Sequence, residues 1–115
     1  MAIVTLSEAK AQLFIDELDL SHDNKIATYI PAAIGMVEHE IECVIYETSS
    51  EVPTDASNYI TFDSLRPSQQ GALKAAILMA ISTLFDNYES HQEADISANP
   101  AFNLCLRGFW SVVTG

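Results

Sequence analysis

Basic side chains are scarce in this 115-residue chain. Five lysines and arginines stand against sixteen aspartates and glutamates, a formal net charge of −11. That balance repels phosphate backbones and offers no cationic cluster from which counterions could be released. Sequence-reading nucleic-acid binding is thereby excluded, although an acidic wall suits a passage through which DNA slides without sticking. Glycine is equally sparse: the four glycines are scattered, so there is no glycine-rich phosphate loop, and no serine sits in a Gly-x-Ser-x-Gly elbow. The two cysteines, Cys43 and Cys105, lie in no electropositive setting beside a histidine, so an activated thiol is not expected. The N-terminus has no basic leader region and meets Glu8, Asp16 and Glu17 early. The expectation is a soluble intracellular protein with reduced, packed thiols, a disulfide being the lesser alternative. No apolar run is long enough to span a bilayer; the best, residues 72–88, is about 17 residues and carries charge.

What the chain does have is apolar material in helical phase. Hydrophobic residues make up 49% of it, enough for one folded domain and too many for a disordered tail. Eleven of the sixteen acids lie in residues 1–60, and from Ile96 onward the only charged side chain is Arg107. Residues 72–88 are apolar over more than half a helical wheel: Leu73, Ala76, Ile77, Leu78, Ala80, Ile81, Leu84, Phe85 and Tyr88 fill one broad arc. A helix of this kind needs cover on nearly every side. Either it is the central helix of a small bundle, or neighbouring subunits supply part of its cover.

The remaining elements follow from caps and stripes. Thr5-Leu6-Ser7-Glu8 fits a capping box and predicts a first helix over 6–15, with Leu6, Ala9 and Leu13 inward and Phe14 a further candidate. Residues 16–23 read as an acidic turn. Ile26, Ile30, Ala33, Val37, Ile41 and Val44 make one stripe, predicting a second helix over 23–46 that Pro31 kinks without ending. Residues 47–66 form an irregular connector in which Tyr59-Ile60-Thr61-Phe62 has strand character. Pro67 opens a third helix reaching about residue 89, residues 90–99 read as polar loop, and Pro100 opens a last helix. The fold expected is all-α: a small bundle of about four helices.

Candidate chemistry is thin. His39 and Cys43 are four apart on a helix, a metal-compatible spacing, but His22 and His91 fall in loops without a cysteine partner, and structural zinc wants four ligands. Glu38 and Glu42, with Asp86 and Glu89, faintly resemble the carboxylate clusters of magnesium-dependent nucleotide hydrolases. Glu38, Glu40 and Glu42 spread around their helix with no cation beside them, so a solvated acidic face explains them equally well. No cofactor, no metal and no catalysis are expected. The closing helix carries Phe102, Leu106 and Phe109 on one side, with Cys105 and Val112 nearby, and Arg107 and Trp110 in the same nearly charge-free stretch. Two readings stay open for Phe102, Leu106, Arg107, Phe109 and Trp110: they cap the core, or they anchor a protein partner.

In order and spacing the chain resembles the head–tail connector (adaptor) proteins of long-tailed bacteriophages and prophages. The resemblance rests on three segments: Val4 to Lys10 with Leu13 and Ile15-Asp16; Ile30, Ala32-Ala33 and Val37-Glu38; and Leu73-Lys74, Ala76-Ile77-Leu78 and Leu84 on to Asn87 and Glu89. Pro100 and the apolar helix behind it fit the family's closing segment. Tyr88 stands where an arginine is common, and Arg107 alone represents an end that is often basic. The resemblance implies a non-enzymatic, ring-forming helical subunit, usually in twelve copies, at the head–tail junction of the virion and made in the bacterial host cytoplasm. Such a ring docks beneath the portal protein after DNA packaging and receives a stopper or tail-completion protein. DNA passes through it without sequence-specific binding, and no membrane is involved. A different class remains open: a small acidic helical inhibitor or immunity-type protein acting by charge mimicry.

Overall fold

The computed structural model describes residues 3–90 and 100–114; the side-chain surroundings of 87–90 and 108–114 lie outside that description. The elements run α1 (Leu6–Gln12), α2 (Asp23–Ile41), β1 (Val44–Tyr46), β2 (Tyr59–Thr61), α3 (Pro67–Ser90) and α4 (Pro100–Thr114). The chain is thus mostly helical, as the stripes predict. It is not purely α, because β1 and β2 pair in parallel, Val44 opposite Tyr59 and Tyr46 opposite Thr61. The expected polar loop over 90–99, His91 included, falls largely outside the described residues.

The third helix is the centre of the molecule. It packs along α2 and α4 and also touches α1. Leu73, Ala76, Ile77, Ala80 and Ile81 are fully buried, and Leu78, Met79, Leu84 and Phe85 are half-buried against the same core. Ile26, Ala33, Val37 and Ile41 come to it from α2, and Phe102 and Leu106 from α4. At the start of α2, His22 and Tyr29 each meet the Phe85 ring edge-on, at 5.6 and 6.4 Å between centroids. Over residues 73–85 most of the apolar arc of α3 is therefore covered from within the chain. α2 stays one helix through Pro31, which is exposed, as is Ala27, whose carbonyl loses its helical amide partner to the proline.

Two helices end earlier than their stripes predict, each at a residue in the left-handed region. α1 stops at Gln12, not near residue 15, because Phe14 takes φ 58°. The Ile15 amide donates to the Lys10 carbonyl at 2.9 Å and the Phe14 amide to Ala11 at 3.2 Å, the paired bonds that close a helix C-terminus. α2 stops at Ile41, not Tyr46, because Glu42 also has φ 58° and the Cys43 amide bonds back to the Glu38 carbonyl. Val44-Ile45-Tyr46 then leaves as a strand, which β-branched and aromatic side chains favour. Its partner arrives after the twelve residues 47–58, about the least a parallel crossover needs.

One carboxylate settles that corner. Glu38 Oε2 accepts from the Ile45 amide at 2.7 Å, so this acid is turned into the fold and is not part of the solvated face assigned to it from sequence. It satisfies a strand-edge donor that would otherwise be open to further pairing.

Candidate partner-binding surface

The closing helix divides its candidate residues. Phe102 and Leu106 are fully buried in the chain's own core, against α3. Of the two readings open for them, burial favours the core: they hold α4 to the bundle. Arg107 and Leu104 are exposed, Leu104 at 60%. The side chains of Phe109, Trp110 and Val112 lie outside the described residues.

The short helix α1 is fastened at both ends. At its start the capping box forms as the sequence predicts: the Glu8 amide donates to Thr5 Oγ1 at 3.1 Å, and the Thr5 amide to Glu8 Oε1 at 3.0 Å. Lys74 from α3 reaches the other Glu8 oxygen at 2.9 Å, joining residues 66 apart in sequence. The Lys74 hydrogen bond, then the Thr5 amide, hold the Glu8 carboxyl below its ordinary value of 4.5. A depressed carboxyl pKa contributes stability that is complete above the unfolded value and is lost as pH falls through the folded one. Glu8→Gln should therefore flatten the fall in melting temperature below pH 4.5. An unchanged acid limb in thermal scans would show that the cap does not set it. The pair is half-exposed, so its effect at neutral pH is small.

Beyond α1 the chain makes a tight acidic loop with unusual contents. Phe14 is 97% exposed, Leu18 88% and Leu20 70%, alternating with exposed Asp16, Glu17 and Asp19. Phe14 and residues 16–20, read from sequence as an inward candidate and a plain acidic turn, therefore carry the three most exposed large apolar side chains among the described residues. The signal was present: Leu18 and Leu20 alternate with acids in a turn too short to return to the core.

The loop is nevertheless ordered by its own bonds. Lys10, only 2% exposed, donates to the Glu17 carbonyl at 2.9 Å and lies 3.0 Å from Asp23. Ser7 Oγ donates to Glu17 Oε2 at 3.0 Å, the Leu18 amide to Asp16 Oδ1 at 2.9 Å, and the Ser21 amide to Asp19 Oδ1 at 3.0 Å. The Ser21 hydroxyl and then its amide hold the Asp19 carboxyl below its ordinary range.

A left-handed conformation costs a non-glycine residue about 1–2 kcal/mol, and Phe14 recovers almost nothing by burial. Phe14→Gly should stabilise the isolated protein by about 0.5–1 kcal/mol, after subtracting glycine's extra unfolded-state entropy. A melting temperature below the parent's would show that the phenyl ring packs on the protein after all.

The other features are chemically quiet. A cavity of about 250 Å³ lies beside the start of α1, walled by Ile3, Thr5, Glu8, Phe62, Asp63 and Lys74. Its single cation, Lys74, already faces Glu8. Burial, and secondarily the Glu38 charge, push the Cys43 thiol above its ordinary value of 9.0, which disfavours the thiolate. Cys43 and Cys105 are both free thiols. Among the described residues no three His, Cys, Asp or Glu side chains converge as a metal site, and His39 is exposed on α2. Among the same residues no helix is long and apolar enough to cross a membrane. Compared with protein families, with characterised proteins and with solved structures, the chain matches none.

Proposed function

We propose that the chain is a structural subunit of the head–tail connector type. In this reading it assembles with copies of itself into a ring, in the family's usual number of twelve, beneath a phage portal. The ring completes the DNA-filled head and offers a platform to a stopper or tail-completion protein, while DNA passes along an acidic lumen. The observation that carries the proposal is apolar surface left uncovered on a chain of net charge −11: Phe14, Leu18 and Leu20 at one end of α1 and Leu104 on α4. Such groups call for cover by another protein, here the portal or the completion protein. Arg107, Phe109 and Trp110, further along α4 and within an almost uncharged segment, are the proposed portal contacts.

The second reading, a small acidic inhibitor working as a monomer by charge mimicry, is favoured by the exposed acids Asp16, Glu17, Asp19 and Glu42. It gives no role to the uncovered leucines and phenylalanine. Sedimentation of the chain alone and with purified portal rings separates the two readings. Coaxial ring density on the portal in electron micrographs is the expected result; a chain that remains monomeric and unbound beside portal rings would sink the connector reading. Duplex DNA should not be retained by the chain at physiological salt. Tight, salt-sensitive retention would count against an acidic conduit.

A further inference from the structure

Phe14, Leu18 and Leu20 are large, apolar and mostly in water, on a loop whose backbone is held by Lys10, Asp16 and Asp19 and whose Glu17 carboxylate is held by Ser7. Neither packing nor backbone preference accounts for a phenylalanine at position 14. It buries nothing and occupies a conformation that glycine adopts more cheaply. A loop already held in one shape loses little conformational freedom on binding, so its exposed side chains act as ready anchors.

The charge around those anchors selects what they meet. Asp16, Glu17 and Asp19 are exposed between them; of the two flanking cations, Lys10 is buried beneath the loop and engaged there, and Lys25 on α2 is half-buried and also has a partner. Nucleic acid and an anionic lipid surface are both repelled by this arrangement. A second copy of the chain is a poor electrostatic match too, since each copy brings sixteen acids and only five basic residues. What remains is a protein surface carrying lysine or arginine around an apolar recess.

We infer that the α1–α2 loop is a preformed docking element for a different, basic protein: Phe14, Leu18 and Leu20 enter its apolar recess while Asp16, Glu17 and Asp19 face its cationic rim. The inference does not rest on the connector reading. It holds for any basic partner: failed portal assembly leaves it standing, and a loop that ignores basic apolar probes leaves the connector reading standing.

The test uses the full chain, isotope-labelled, and the variant Phe14→Ser/Leu18→Ser. The probes are an amphipathic lysine–leucine peptide and a lysine–serine peptide of equal charge. The leucine peptide should move the amide resonances of residues 13–21 selectively, bind more weakly as salt rises, and lose affinity roughly tenfold or more in the variant. The serine peptide should bind weakly and equally to both proteins. Three results would overturn the inference: equal binding of both peptides, shifts centred on Glu40 and Glu42 of α2, or an affinity the variant leaves unchanged. Self-association of the parent that the variant abolishes would identify a second copy as the occupant, and that also overturns it. Because both side chains are nearly fully exposed, the variant should keep the parent's circular dichroism; an unfolded variant would mean the two residues are structural and end the proposal.

Discussion

Phe102→Ala should cost about 3–5 kcal/mol of folding stability, the range for emptying a fully buried aromatic site. A chain of this size has only about 5–15 kcal/mol in total, so the melting temperature should fall by roughly 15 °C or more. The magnitude follows from position. Among the described residues of α4, Phe102 and Leu106 are at 0% exposure, and together they seat α4 on α3. The cavity left by alanine would be walled by helices that cannot readily close on it, because α3 is held on its other sides by α1 and α2. Leu106→Ala should act in the same direction at about 2–5 kcal/mol. A conservative Phe102→Leu should lose much less. If Phe102→Ala melts within about 1 kcal/mol of the parent, burial at this site is not stabilising and α4 is not part of the cooperative core.

This outcome bears on the partner question. An anchor residue weakens binding and leaves folding alone, whereas a core residue does the reverse. Phe102 and Leu106 belong to the second kind. Among the described side chains of α4, those left for anchoring are exposed ones such as Leu104 and Arg107. Assembly defects in Phe102→Ala should accordingly track its stability and vanish at temperatures where it is folded.

The sequence showed some of these elements clearly and others not at all, and the difference is physical. α3 and α4 begin at Pro67 and Pro100 because proline is preorganised for the first turn and lacks an amide the helix would leave unbonded anyway. The capping box at Thr5 and Glu8 is a local chemical signal and formed as written. The ends of α1 and α2 were not legible, since left-handed termini normally announce themselves by glycine and here Phe14 and Glu42 fill those positions. The hydrophobic stripe through Val44 stayed in helical phase and masked the switch to strand. The parallel pairing of Val44–Tyr46 with Tyr59–Thr61 depends on a contact across the connector, which no local pattern encodes. Of the surface, only the acidic character of the α1–α2 loop was legible. Its exposed Phe14 depends on a backbone angle, and the role of Lys10 depends on where Glu17 and Asp23 end up in space.

Lys10 gives the second large effect. Lysine is rarely buried, and at 2% exposure it must find partners for its charge. It has two: the Glu17 carbonyl at 2.9 Å and the Asp23 carboxylate at 3.0 Å. One side chain thus ties the end of α1, the middle of the loop and the first residue of α2. Lys10→Ala should remove that tie, open a void under the loop and leave Asp23 without its ion-pair partner. Breaking a fully buried pair costs about 3–5 kcal/mol, and because Asp23 is partly exposed the expected loss is smaller, about 2–3 kcal/mol. The melting temperature should drop by roughly 10 °C. Lys10→Met keeps the stem's packing but not the charge and should lose nearly as much, whereas Lys10→Met/Asp23→Leu should recover most of it, since a buried pair replaced by apolar groups is often neutral. Loop order provides the reading that separates this from generic destabilisation. In Lys10→Met at a temperature where the protein is folded, amide hydrogen exchange should rise at Leu18 and Ser21 while the α3 core stays protected. Uniformly raised exchange, or none at the loop, would mean that Lys10 supports the bundle as a whole and not the loop's shape. The docking element would then owe its order to Ser7, Asp16 and Asp19 alone, and binding through Phe14 and Leu18 would survive the loss of Lys10.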